Sequence, residues 1–505
     1  MRYILVILCL SLTGIANAQL YRVFFSDKSG DIKTGDLYDI PVQADYINSI
    51  RMHCDSVWMT SNWLNYALIE YKEYPVDLLQ YSFVKKIEEV IPLQSASLAL
   101  NEESACSHDR DSIDPTSMDE HRQWQIDTLG YQYFKDQKIN GSEIVIAIID
   151  AGFTYANESS AFKDIFTSNR VLKTYDFIDN DTNVFHGATH GTSVWSCIAG
   201  NLNDKPTGLA GGASFILLRS EDQKTETMAD EDRWIQAIEK AYEWGADIVN
   251  SSVGFTNVLH SRDQLNGQTL ISQAADIAAK KGMLVVVSAG NEWITLWKTL
   301  SVPADADGVI AVGGIDMEGN HSYFSSVGPT ADGRAKPDVV APGTCVIVKG
   351  NDFVLGNGTS FATPLVTGYL ACMLELKGKK NFTKDSLKYY AGLFPYFDYV
   401  FGFGVPNVIS RDSSPCDFYG LDKETKTLYH QYAPNEEEIF FFDVFLKIVD
   451  STGVIKFSKK FTKLKRGIFK IKTTTKKILF NYHYYYDPQP SDRWCIWWNG
   501  CYSEF

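Results

Sequence analysis

After Ile15 the 505-residue chain has no apolar run of the ~18–20 residues that a transmembrane helix needs, so an integral membrane protein is not expected. It is also short of positive charge. Forty-seven basic residues against 62 acidic ones give a net charge of −15, which weighs against a nucleic-acid binder. Internal repeats and low-complexity tracts are absent, which excludes a stacked repeat array. Apolar residues make up 45% and charged residues 22%, so a mostly disordered chain is excluded too. What remains is a globular protein long enough, at ~100–200 residues per domain, for two to four domains.

The first segment reads as a signal peptide over 1–18. Arg2 gives a short basic start, Tyr3 to Ile15 is almost continuously apolar, and Ala16-Asn17-Ala18 has the small-x-small pattern that signal peptidase reads. Cleavage is expected before Gln19. Cys9 follows bulky Leu8 inside an apolar stretch that continues past it, which argues against a lipoprotein. The mature chain is expected to be exported, to an extracellular, cell-surface or periplasmic location. Its eight remaining cysteines then sit where disulfides can form. Cys495 and Cys501, either side of an expected hairpin, are the best-placed pair; Cys197 and Cys372 fall in apolar helical segments and read as buried thiols.

Residues 19–93 read β-α-β-β-α-β: strands at Tyr21–Phe25, Asp55–Thr60, Leu64–Tyr71 and Val84–Ile91, with helices at Pro41–Arg51 and Pro75–Phe83. This predicts a small α+β split-βαβ domain. Residues 94–122 lose periodicity and fill with Ser, Asp and Glu, as an exposed linker does. Over 123–410 strands alternate with helices. Strands are expected at Glu143–Ile149, Asp247–Val253, Met283–Ser288 and Val309–Ile315, and helices at Asp232–Trp244, Gln264–Lys281 and Phe361–Leu376. Glu143–Ile149 is apolar without alternation, as strands buried on both faces are. The expectation is an α/β domain with a doubly wound, mostly parallel sheet and helices on both faces. Residues 411–505 turn to short strand-like runs, such as Phe469 and Ile471 alternating with Lys470 and Lys472, and predict a small all-β domain. Residues 440–480 hold eleven Lys and Arg against two Asp, a solvated basic sheet face or a surface-binding patch.

Three motifs in the α/β domain carry chemistry. IVIAIIDAGF delivers Asp150 at the end of a buried strand, where a carboxylate can hold an imidazole in one tautomer. HGTSV places His190 at a helix start, exposed to a cleft as a general base must be; His186 is a competitor in a poorer context. GNGTSFATPLVTG puts Ser360 at the N-terminus of a buried helix, where the helix end favours developing negative charge and the Ser360 N–H can face an oxyanion. Pro364 is expected to be tolerated because first-turn N–H groups lack helical partners anyway.

These motifs, in the order Asp, His, Ser, resemble the subtilisin-like (subtilase, S8-type) serine proteases. VVVSAGNEW resembles the family strand that ends in an oxyanion asparagine, here Asn291. SSVG resembles the strand that pairs with substrate, which implies substrate-binding roles for Ser251, Ser252, Val253 and Gly254, and likewise for Ser288, Ala289 and Gly290. KPDVVAPGT matches a further, structural signature. IAIIDAGF and FDYVFGFGVPN are similar to exported Bacteroidetes-type members, and the N-terminal domain resembles the family's propeptides by topology and position. Ala151 and Leu365 depart from the usual residues, beside the chemistry. The resemblance implies a secreted endopeptidase acting on protein or peptide substrates, with its own N-terminal domain as an inhibitor and no nucleic-acid partner. It implies no cofactor. Structural calcium is common in the family, but no dense carboxylate loop spells out a site, so no metal ligand is assigned. The alternative is a catalytically silent protein of the same fold that attaches to a surface through its C-terminal domain. An esterase fits less well, because the serine lies in G-T-S-F-A and not in G-x-S-x-G.

Overall fold

The structure is a computed structural model. It describes residues 19–28, 36–72, 74–90, 115–222, 227–256, 259–394 and 397–408, together with the backbone of strands between 420 and 504. The expected signal peptide, Cys106, Cys416 and Cys501 lie outside the described residues, as do Ile471 and Lys472. The chain divides into two compact units, one of residues 1–94 with Thr227–Asp232 and one of the remainder.

In the first unit, β1 (Gln19–Phe25), β2 (Ser56–Ser61), β3 (Tyr66–Tyr71) and β4 (Val84–Val90) form an antiparallel sheet in the order β2-β3-β1-β4. The alternating residues Tyr21, Val23 and Phe25 of β1 join Ala67, Ile69 and Ile87 on one face, closed by Ile50 of the helix Ala44–Arg51. The expected helix at Pro75–Phe83 is only a 3-10 turn, Val76–Gln80. Leu78 alone is buried there while Val76 and Leu79 are exposed, so no apolar stripe holds further turns in place. Within this unit Arg22 donates Nε and Nη2 to the Asp232 carboxylate at 2.8 and 2.9 Å, and the Tyr66 hydroxyl donates to it at 2.6 Å. The buried charges are paired and hydrogen-bonded, as burial requires.

The second unit is built on a parallel sheet of β5 (Val145–Asp150), β6 (Val171–Asp176), β9 (Ser214–Arg219), β10 (Ile248–Ser251), β11 (Leu284–Ser288), β12 (Ile310–Ile315) and β13 (Val339–Pro342). Its order is β13-β12-β11-β10-β5-β9-β6, with helices on both faces. The two-residue strands β7 (Asn201–Leu202) and β8 (Lys205–Pro206) form a separate hairpin, as do β14 (Thr344–Lys349) and β15 (Asp352–Asn357). Because β11, β10 and β5 are parallel neighbours, their last residues Ser288, Ser251 and Asp150 end along one edge. Functional groups collect at this carboxyl edge of open α/β sheets.

The region 94–122 is not linker throughout: a helix runs from Pro115 to Asp127. His121, Arg122, Gln125 and Ile126 are buried, a helical face that hydrophobic periodicity misses because three of its members are polar. Gln125 stands in for a strand, donating to the carbonyls of Thr207 and Val346 while accepting from Val346 N. Beyond residue 411 the described backbone is all β, a three-stranded sheet and a five-stranded one.

Candidate active site

Asp150 ends β5 with no exposed surface. Its Oδ1 accepts from Ala151 N at 2.8 Å and lies 2.8 Å from His190 Nδ1. His190 opens the helix His190–Ala199, whose first turn comes against the end of β5. A Cβ at Gly191 would lie 2.5 Å from the Gly152 carbonyl oxygen and 3.0 Å from Asp150 Cβ, so glycine is what lets the histidine approach the carboxylate. The competitor His186 faces Asp176 and Asp179 instead, at 3.4 and 3.7 Å.

Ser360 stands in the first turn of the helix Thr359–Lys377, which is buried from Thr359 to Leu374. Its Oγ donates to the Ser252 carbonyl at 3.2 Å, and its own carbonyl accepts from Ser252 Oγ at 2.9 Å. That second bond corrects the expectation about Pro364. The proline lies beyond the first turn, and its missing N–H would have bonded the Ser360 carbonyl. The Ser252 hydroxyl takes that place.

Asn291 follows β11 and turns its Oδ1 onto Thr359, accepting from the backbone N at 2.8 Å and from Oγ1 at 3.0 Å. Gly358 caps this helix at φ +154°, and a Cβ there would lie 3.5 Å from Asn291 Nδ2 and 3.6 Å from Ser360 N. A missing side chain thus keeps open a space bordered by two N–H donors, beside the serine.

The other residues singled out in the sequence divide into two kinds. Ser251 turns inward, its Oγ accepting from Trp234 Nε1 at 2.8 Å, and Val253 is buried while Gly254 is exposed. Ser288 is buried; the carbonyls of Ala289 and Gly290 accept from Ser301 N and Ser326 N, and Gly290 N donates to Thr359 Oγ1 at 3.3 Å. The structure therefore brings Gly290 to the serine turn and makes the Ser252 hydroxyl part of its support, while the Ser251 hydroxyl serves Trp234 instead. Thr359 is the residue whose part the sequence understated. The available signal was a hydroxyl and an N–H beside an amide that needs donors.

Among the described residues, Asp176, Asp181 and His186 are the one cluster whose ligand atoms converge, within 4.8 Å. It does not fit a structural calcium. Asp176 Oδ2 already accepts from Arg219 Nη1 at 2.6 Å, so a cation would have to share that carboxylate with a buried guanidinium. Cys197, Cys345 and Cys372 are buried free thiols, and burial pushes the Cys345 and Cys372 thiols up, away from reactive thiolate. The expected Cys495–Cys501 pair lies outside the described side chains.

A family model described as the subtilase family matches residues 141–391, and one for the peptidase S8 propeptide domain of Bacteroidota matches 28–105. The chain is 33% identical over 242 residues to a thermophilic serine proteinase of Bacillus sp. (strain AK1), spanning 47% of this chain and about half, 53%, of that one. It is 31% identical over 248 residues to subtilisin DY of Bacillus licheniformis, covering 47% of this chain and 79% of that one. The fold is also that of the epidermin leader peptide processing serine protease from Staphylococcus aureus, with a TM-score of 0.53 at 20% identity over 78% of this chain and 97% of that one. With this likeness in motif order, sheet and sequence, the chain belongs to the subtilase family, a subtilisin-like serine endopeptidase domain preceded by a Bacteroidota-type S8 propeptide domain.

Proposed function

We propose that the chain is an exported serine endopeptidase that cleaves protein or peptide substrates by acyl transfer. Ser360 Oγ attacks the scissile carbonyl, His190 takes the hydroxyl proton and returns it to the leaving amine, and Asp150 orients His190 and stabilises its protonated form. Asn291 Nδ2 and Ser360 N donate to the tetrahedral oxygen, with the helix end adding positive potential where the charge develops. Substrate backbone lies along 251–254 and 288–290 as an added strand. The chemistry needs no cofactor, and the N-terminal domain acts as inhibitor until removed. The observation that supports the reading most is the space at Gly358, bordered by Asn291 Nδ2 and Ser360 N.

The test is Ser360→Ala. It is expected to lower kcat on a fluorogenic peptide pool by about a million-fold, the loss seen when the triad serine is removed from subtilisin itself. A fluorophosphonate should label wild type and not the variant. A wild-type protein that neither labels nor cleaves would favour the silent surface-binding reading, and labelling that survives the substitution would move the nucleophile elsewhere.

A further inference from the structure

Arg219 ends β9 and is almost fully buried. It lies level with Asp150 on β5 and with Asp176 on β6, so one row across three parallel strands reads Asp, Arg, Asp. Its Nη1 donates to Asp176 Oδ2 at 2.6 Å and to Asp179 Oδ2 at 3.1 Å, while its Nε donates to the Ala151 carbonyl at 3.2 Å. The last bond is the one that neutralising a buried carboxylate does not require. Asp176 has its other oxygen filled by the N–H groups of Ile178 and Asp179, at 2.8 and 3.1 Å.

Ala151 is the residue whose N–H binds Asp150 Oδ1, the oxygen that faces His190. A continuous chain therefore runs from the Arg219 guanidinium through the carbonyl and N–H of Ala151 to Asp150, and from there to His190 Nδ1. The planar fork matters. Two of its nitrogens, held in fixed relation, tie the chain leaving β5 to the end of β6, which a single ammonium holds less rigidly. Without the tie, the Asp150–Ala151–Gly152 exit loses one of its restraints, and small displacements at a reacting centre cost rate out of proportion to their size.

We infer that Arg219 is a positioning residue of this active site, acting through Ala151 to hold Asp150 on His190. The inference rests on the proposed triad.

A residue that only neutralises Asp176 behaves differently from one that positions Ala151, and a paired substitution separates them. Arg219→Met strands Asp176 and should lower thermal stability and kcat together. Adding Asp176→Asn removes the stranded charge. The full chain is produced in each form, active sites are titrated with a fluorophosphonate, and kcat and KM are measured per titrated site. The double variant should regain stability yet stay about 10- to 100-fold below wild type in kcat, with KM within about threefold. Recovery of kcat together with stability would overturn the inference and leave Arg219 a charge partner. If the double variant does not fold, Arg219→Lys decides. It keeps a cation for Asp176, and a kcat at least tenfold low at near-normal stability supports positioning, while a wild-type kcat overturns it. Failure of wild type to label at Ser360 is a separate result, one that removes the triad itself.

Discussion

The amide of Asn291 presents two different faces. Its Oδ1 is held by Thr359 N and Oγ1, which fixes which way the amide points and leaves Nδ2 on the side of Ser360 N. Asn291→Leu should lower kcat by roughly 10²–10³ with KM little changed, the range set by the corresponding asparagine of subtilisin. Thr359→Val removes one of the two donors that orient the amide. Its kcat should fall by up to about tenfold, the worth of one net hydrogen bond. Steady-state kinetics check both, and a rise in KM at constant kcat would make Asn291 a substrate-binding or structural residue. Asp150, His190 and Ser360 were legible as candidates because each is a residue type whose chemistry demands a particular setting, written into its own neighbours, whereas Asn291 was a candidate only through the resemblance of VVVSAGNEW to the family's strand. Ser252 was legible only as a substrate-binding candidate, because its acceptor, the carbonyl left open by Pro364, belongs to a residue 108 positions away. Ser252→Ala strands that buried carbonyl and should cost about 1–3 kcal/mol of stability, read as a lower midpoint in urea at unchanged slope.

At the scale of elements, apolar periodicity found the central strands and the longer helices, and it failed where polar side chains do the packing. The helix Pro115–Asp127 is held by polar ties, His121 Nε2 to the Thr344 carbonyl at 2.7 Å and Gln125 to both sides of Val346. Thr344 in turn donates its Oγ1 to Asn357 beside the serine turn. Burial lowers the pKa of His121, with its bond to the Thr344 carbonyl acting the other way, and burial likewise lowers that of His321. The sign follows from which state binds the proton first. An unfolded histidine protonates near 6.5, and the folded one resists until the pH is lower. Between those two values the unfolded chain holds more protons, so stability falls as pH drops below about 6.5 and gains nothing from these groups at higher pH. His121→Gln should therefore make the loss of Tm on acidification from pH 7 to 5 shallower than in wild type, and adding His321→Gln shallower again. Parallel Tm curves for all three proteins would show that neither imidazole carries the acid sensitivity.

For the whole molecule, a propeptide domain ahead of a protease domain predicts a zymogen whose activity follows the removal of its first domain. The N-terminal unit has its own four-stranded sheet and its own apolar core, so it is built to persist as a folded body and not as a mere leader. Between it and the protease domain lies a segment rich in Ser, Asp and Glu, a composition that active sites cut readily. The helix at Pro115–Asp127 narrows where that cut can fall. His121 and Gln125 tie it to β14, so cleavage inside it would remove polar partners from the strand that pairs with β15, the one that runs into the serine turn. The cut is therefore expected after Gln94 and ahead of Pro115. N-terminal sequencing of secreted wild type should begin in that window, whereas Ser360→Ala, unable to cut itself, should begin at Gln19. A Ser360→Ala protein processed in the same window would assign the cut to another protease. A fully active wild type that still begins at Gln19 would mean the first domain is a permanent part of the enzyme and does not hold it inactive.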